Sequence, residues 1–146
     1  MFHTILVAFD GSSGSLPAFR KALQLACKFQ GTLHVLSVEE SVPHYASSQK
    51  EAGDEETEVV TYFQNLHWRV RQEAEAAGVE VFTRVARGHA ARAITEAASE
   101  MGADLVVIGH RGHSGVVERL LGSTTGRVVE TASCSVLVVR DAESER

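Results

Sequence analysis

The stretch Gly109-His110-Arg111-Gly112, nine further residues from His113 to Leu121, and then Gly122-Ser123-Thr124-Thr125 has the residue types and spacing best suited to chemistry in this chain. That chemistry is the binding of an anion. Glycines at 109 and 112 can take positive φ and let backbone N–H groups approach a ligand with no Cβ in the way. Gly122-Ser123-Thr124 reads as the opening of a helix, where unpaired N–H groups and the positive dipole end favour phosphate. The Ser123 and Thr124 hydroxyls add donors, and charge-assisted bonds of this kind are each worth about 1.5–3 kcal/mol. Residues 109–127 carry Arg111, Arg119 and Arg127 against Glu118 alone, although the chain has a net charge of −5. Two readings fit these residues: a phosphate-binding turn, or a tight turn followed by an ordinary Ser123 N-cap.

Such a turn needs a strand to end in it and a helix to leave it, and the hydrophobic pattern supplies both. Thr4 to Phe9 is a nearly continuous apolar run ending at Asp10-Gly11-Ser12, as suits a strand covered on both faces of a parallel sheet. Ser15-Leu16-Pro17 starts a helix whose inner face is Leu16, Phe19, Leu23, Ala26 and Cys27, stopped by Gly31. A second strand is expected over 32–38, and a mobile acidic loop over 39–56. A helix on Val59, Phe63, Leu66, Val70, Ala74 and Ala77 follows, with Trp68 and Tyr62 read as core or interface. Then come a strand over 79–86, a helix on Ala90, Ala93, Ile94, Ala97 and Met101, a strand over 104–108, a helix over 123–132 and a strand over 135–139. Five strands alternating with four helices predict an α/β fold of one domain over residues 1–146, an open parallel sheet with helices on both faces. Ligands of such sheets sit at the carboxyl ends of the strands, where Asp10, Val38 and Gly109 fall.

Composition narrows the function classes. The 146 residues suffice for a proper core, and the acidic balance disfavours nucleic acid as a partner. No apolar run approaches the roughly 18–20 residues of a membrane span, and the N-terminus lacks a signal-peptide pattern, so no membrane association and a cytoplasmic location are expected. Cys27 and Cys134 are expected to be small buried thiols rather than a disulfide.

The pattern Gly-x2-Gly-x9-Gly-Ser, here Gly109, Gly112, Gly122 and Ser123, resembles the nucleotide-binding signature of universal stress proteins. The likeness runs along nearly the whole chain. Ile5 to Ser12 is similar to the family's opening strand and aspartate, Asp104 to Gly109 to its fourth strand, and Cys134 to Val139 to its closing strand, with Ser135 where proline is usual. The resemblance implies a Rossmann-like strand order of 3-2-1-4-5 and ATP or AMP as ligand. It implies that Asp10 lies near the adenosine and Val38 near the adenine through its backbone. It also implies that Gly109, Gly112, Gly122, Ser123 and Thr124, beside Arg111, hold the phosphates, and that the fifth strand pairs across a homodimer.

Competing chemistries find less support. His110-Arg111-Gly112-His113 matches a His-x-Gly-His phosphate motif, but that motif follows a first strand and this one follows the fourth. Neither a Walker lysine nor a Gly-x-Ser-x-Gly elbow occurs. The histidines have no third ligand at metal spacing, so Mg²⁺ is expected only as the companion of a bound triphosphate. His89 is expected to cap a helix or lie on the surface. With no credible base beside the turn, the residues favour a nucleotide-binding sensor or switch over the alternative, a slow ATP hydrolase or phosphoryl-transfer enzyme.

Overall fold

The computed structural model describes residues 1–40, 52–111 and 121–140, with side chains in the second stretch from residue 56 onward. The elements run β1 (Thr4–Ala8), α1 (Ser15–Phe29), β2 (Thr32–Glu39), α2 (Ala52–Ala76), β3 (Val81–Arg87), α3 (Ala90–Met101), β4 (Leu105–Gly109), α4 (Ser123–Thr131) and β5 (Ser135–Val139). All strand pairs are parallel, in the order β3-β2-β1-β4-β5. The chain therefore winds outward from β1 in both directions, and the switch point falls between β1 and β4.

The central strands are apolar on both faces because helices cover both. Ile5, Val7, Leu33, Val35, Leu105 and Val107 pack with Phe19, Ala22, Val70 and Ala74 in the layer beneath α1 and α2. Leu6, Leu36, Val106 and Ile108 pack with Ile94, Ala97, Ala98 and Val128 beneath α3 and α4. Successive strand residues thus feed opposite layers, as the period-2 geometry demands.

Several elements depart from expectation in instructive ways. Helix α1 ends at Phe29, and Gln30, not Gly31, takes the left-handed C-cap conformation at φ 54°. Gly31 is needed for another reason: a Cβ there would come within 2.7 Å of the Phe2 carbonyl oxygen. Helix α2 begins at Ala52, inside the segment expected to be a loop; residues 41–51 of that segment lie outside the described residues. Trp68 is 60% exposed and Tyr62 48%, so neither belongs to the core. Cys27 is exposed rather than buried, Cys134 is half-buried, and both are free. Leu121, just before the N-cap of α4, is exposed.

Candidate functional site

The carboxyl ends of β1, β2 and β4 open into a cleft of about 580 Å³, a size typical of small-molecule sites. One wall is Phe9, Asp10, Ser12 and Ser15 from the end of β1 and the start of α1; another is Leu36, Val38 and Glu40 at the end of β2. Tyr62 and Phe63 close it from α2, and Ala90 and Ile94 from α3. The opposite wall is Ile108, Gly109 and Arg111 with Gly122, Ser123, Thr124 and Thr125. Seven of the eight residues singled out from sequence therefore line one cavity. The eighth, Gly112, lies outside the described residues, as do residues 113–120 of the β4–α4 connection.

The two ends of the long β4–α4 connection meet at this wall. The Gly122 N–H donates to the His110 carbonyl (3.0 Å), and the buried Thr125 hydroxyl donates to the Gly109 carbonyl (2.7 Å). Gly122 is the N-cap of α4 and no side chain caps the helix, so Ser123 is its first helical residue rather than its cap. Ser123, Thr124 and Thr125 thus contribute first-turn amides, which have no intrahelical acceptor.

Gly109 is required for close approach rather than for its φ, which is not positive. A Cβ there would collide with the Gly14 carbonyl oxygen, and one at Gly14 with the Arg111 carbonyl oxygen. The β1–α1 and β4–α4 turns are therefore pressed together backbone to backbone, which brings Asp10 to the same cavity as Arg111.

Asp10 is oriented locally: its Oδ1 accepts the Ser12 N–H at 2.9 Å, an Asx turn. Ser12 in turn leads into α1, its carbonyl accepting the Ser15 N–H and hydroxyl and its own hydroxyl accepting the Ser15 N–H. Val38 lies two residues past Leu36, the last β2 residue in register with β1. The Leu36 carbonyl accepts the Phe9 N–H, so by strand alternation the Val38 N–H and C=O face the same side.

Three polar groups that sequence reasoning missed support the site, Tyr62 and His67 from α2 and Ser37 from β2. The Tyr62 hydroxyl donates to the Asp10 carbonyl at 2.6 Å. Ser37, wholly buried, donates its hydroxyl to the Phe9 carbonyl and sits 2.8 Å from Nε2 of buried His67. Because the Ser37 proton is committed to Phe9, Nε2 of His67 carries a hydrogen and donates. Burial, and secondarily Arg71, hold the His67 pKa below its ordinary value, and burial with the Asp10 charge raises that of Tyr62. His67 was legible in retrospect, since it shares the stripe of Phe63, Val70 and Ala74; Ser37 interrupts the apolar run Val35-Leu36…Val38 of β2.

His110 is buried and does not line the cleft, and its Nδ1 has no partner among the described residues. Desolvation first, then Arg140 and Arg111, lower its pKa. His89 occupies the N-cap of α3 with no side-chain cap bond and is exposed. Among the described residues no three His, Cys, Asp or Glu side chains gather in a metal-binding group.

Comparison with known proteins matches residues 1–140 to the universal stress protein family. The chain belongs to that family. YxiE, a universal stress protein of Bacillus subtilis, is 33% identical over 96% of this chain and all of its own length. Among solved structures, the universal stress protein UspA of Lactobacillus plantarum superposes with a TM-score of 0.79, covering 95% of this chain and 98% of its own at 24% identity. A universal stress protein in complex with cAMP superposes with a TM-score of 0.70 at 28% identity, covering 94% and 97%. The strand order and outward winding described above are those of a universal stress protein fold, and no helix among the described residues is long and apolar enough to cross a membrane.

Proposed function

We propose that this universal stress protein binds ATP or AMP in the cleft between β1, β2 and β4 and acts as a nucleotide-responsive sensor or switch. The observation that carries the proposal is the convergence of the Gly109–Arg111 turn and the α4 N-terminus on one wall of a cavity, with Asp10 and Val38 on the others. Phosphates are received by the first-turn amides of α4, the Ser123 and Thr124 hydroxyls and the Arg111 guanidinium. Gly112 joins them on the strength of its place in the motif. The base lies over the end of β2, where Val38 offers one N–H and one C=O to its edge. The complex of a 28% identical relative with cAMP supports an adenine nucleotide as the ligand class.

Binding is favoured over hydrolysis by the make-up of the cleft. Its ionisable described residues are Asp10, Glu40, Tyr62 and Arg111, and Asp10 already uses one oxygen to shape its own turn. Mg²⁺ enters only as a companion of a bound triphosphate. The outer edge of β5, which ends the sheet, is the surface proposed to pair in a homodimer, and a cytoplasmic location fits such a protein.

The test is to denature purified protein, resolve any released nucleotide by chromatography, and titrate the emptied protein with ATP and AMP by calorimetry. Release or saturable binding of either is expected. No release and no measurable affinity for either nucleotide overturns the proposal. Following ATP and ADP over time at stoichiometric protein separates a binder from a slow hydrolase.

A further inference from the structure

Helix α2 is not part of the glycine-rich turn, yet it holds the backbone at the end of β1, which lines the cleft. Two consecutive carbonyls at the end of β1 are held from it: Phe9 through Ser37 and His67, and Asp10 directly by the Tyr62 hydroxyl. Gly11, at φ +85°, has no side chain where the Tyr62 oxygen lies; a Cβ there would collide with it and come within 3.1 Å of Leu66. The turn is therefore shaped to admit this one hydroxyl. Tyr62 also lines the cleft, and its ring meets Phe63 edge-on with centroids 5.2 Å apart.

We propose that Tyr62 is a positioning residue for the nucleotide site, a latch from α2 that fixes the Asp10 turn and so sets the affinity for the adenosine end of the ligand. This deepens the nucleotide-binding proposal and rests on it. The latch acts on the peptide between Asp10 and Gly11, whose orientation decides where the Asp10 carboxylate points. The Ser12 N–H, bonded to Asp10 Oδ1, reports that orientation directly. Because α2 runs for 25 residues along the outside of the molecule, the same bond links cleft occupancy to an exposed helix face. Ordering of the Asp10 turn by a ligand and ordering of α2 must then favour each other.

Tyr62→Phe keeps the ring and removes only the hydroxyl. AMP affinity, measured by calorimetry, is expected to weaken roughly two- to tenfold, the range one neutral hydrogen bond spans. Amide exchange at Ser12 is expected to rise more than that of the β5 amides in the nucleotide-free variant, with the thermal midpoint only a few degrees below the parent's. Gly11→Ala is expected to weaken AMP as well, and adding Tyr62→Phe to it to weaken AMP no further, because both changes break the same contact. Wild-type protein that binds AMP while Tyr62→Phe binds equally well overturns the latch and leaves the binding proposal standing. Additive losses in the double variant overturn it too. Wild-type protein that binds no adenine nucleotide overturns both.

Discussion

The close approach of the β1–α1 and β4–α4 turns can be tested with one substitution made at two places. At Gly109 an added Cβ meets the Gly14 carbonyl oxygen well inside the roughly 3.5 Å at which non-bonded atoms sit favourably. Neither partner can yield by a rotamer change, because both are backbone. Gly109→Ala must therefore separate the two turns or bend β4, whose last residue it is. Overpacking of a buried site costs about 1–3 kcal/mol, and parting the turns also stretches the Thr125 bond to the Gly109 carbonyl. Gly126 is the opposite case. It lies inside α4, its φ is not positive, and an added Cβ meets nothing within 4 Å. Gly126→Ala removes the conformational freedom of glycine from the unfolded chain and should stabilise by about 0.4–1 kcal/mol. Urea denaturation with a common slope gives both numbers, and calorimetry with AMP gives the effect on the site. Gly109→Ala should lower stability and weaken AMP at least tenfold; Gly126→Ala should raise stability and leave AMP affinity within a factor of about two. Equal stabilities for the two variants would refute the backbone-to-backbone packing, and unchanged AMP affinity in Gly109→Ala would separate that packing from the site.

Three further outcomes are expected. Stability should fall as pH drops below 6.5, because burial holds His34, His67 and His110 below that ordinary value. The unfolded chain then binds more protons than the folded one, so the loss begins near 6.5 and ends below the folded pKa values. Denaturation midpoints at about pH 7.5 and about pH 5.5 should show it, with a smaller loss in His67→Gln; a midpoint that rises on acidification refutes the assignment. Gly112→Val should abolish nucleotide binding by placing a branched side chain where phosphate is received, and unchanged affinity removes Gly112 from the site. Val138→Pro should convert a homodimer to monomer by light scattering. The Val139 carbonyl accepts the His110 N–H and so faces β4, which points the Val138 N–H outward; a variant that folds and stays dimeric rules out pairing through β5.

Most of the fold was legible because this sheet is covered on both faces. Continuous runs such as Thr4–Phe9 and Leu105–Gly109 signal strands that meet helices on each side, and the stripes of α1, α2 and α3 complete the pattern. What misled were residues read by type instead of by neighbours. Gly31 looked like a helix stop, yet Gln30 caps α1 and Gly31 makes room for the N-terminal strand. Trp68, read as core or interface, is not core: it lies on the solvent side of the stripe formed by Phe63, His67 and Val70. The site divides in the same manner. The glycine-serine pattern is local in sequence, and its described members Gly109, Gly122 and Ser123 line one cavity. The contact of Gly14 with Arg111, and the reach of Tyr62 to Asp10 across 52 positions, depend on how elements pack and leave no periodic trace.

The polarity of the cleft bears on which ligands it can discriminate. One wall presents Arg111 and the first-turn amides of α4; the walls at the ends of β1 and β2 present Asp10 and Glu40. A ligand that is anionic at one end and rich in hydroxyl and amino donors at the other can meet both kinds of wall, whereas inorganic phosphate engages only the cationic one and a nucleoside only the acidic ones. Each kind of wall therefore works against ligands that satisfy only its opposite. In a chain of net charge −5 this local arrangement has to supply the attraction that the protein's overall field withholds from an anion. AMP should accordingly bind more tightly than either adenosine or phosphate alone. Arg111→Ala should weaken AMP more than adenosine, and Asp10→Asn adenosine as much as AMP, in parallel titrations. Loss of adenosine and AMP by the same factor in Arg111→Ala would show that the guanidinium shapes the turn instead of receiving the phosphate.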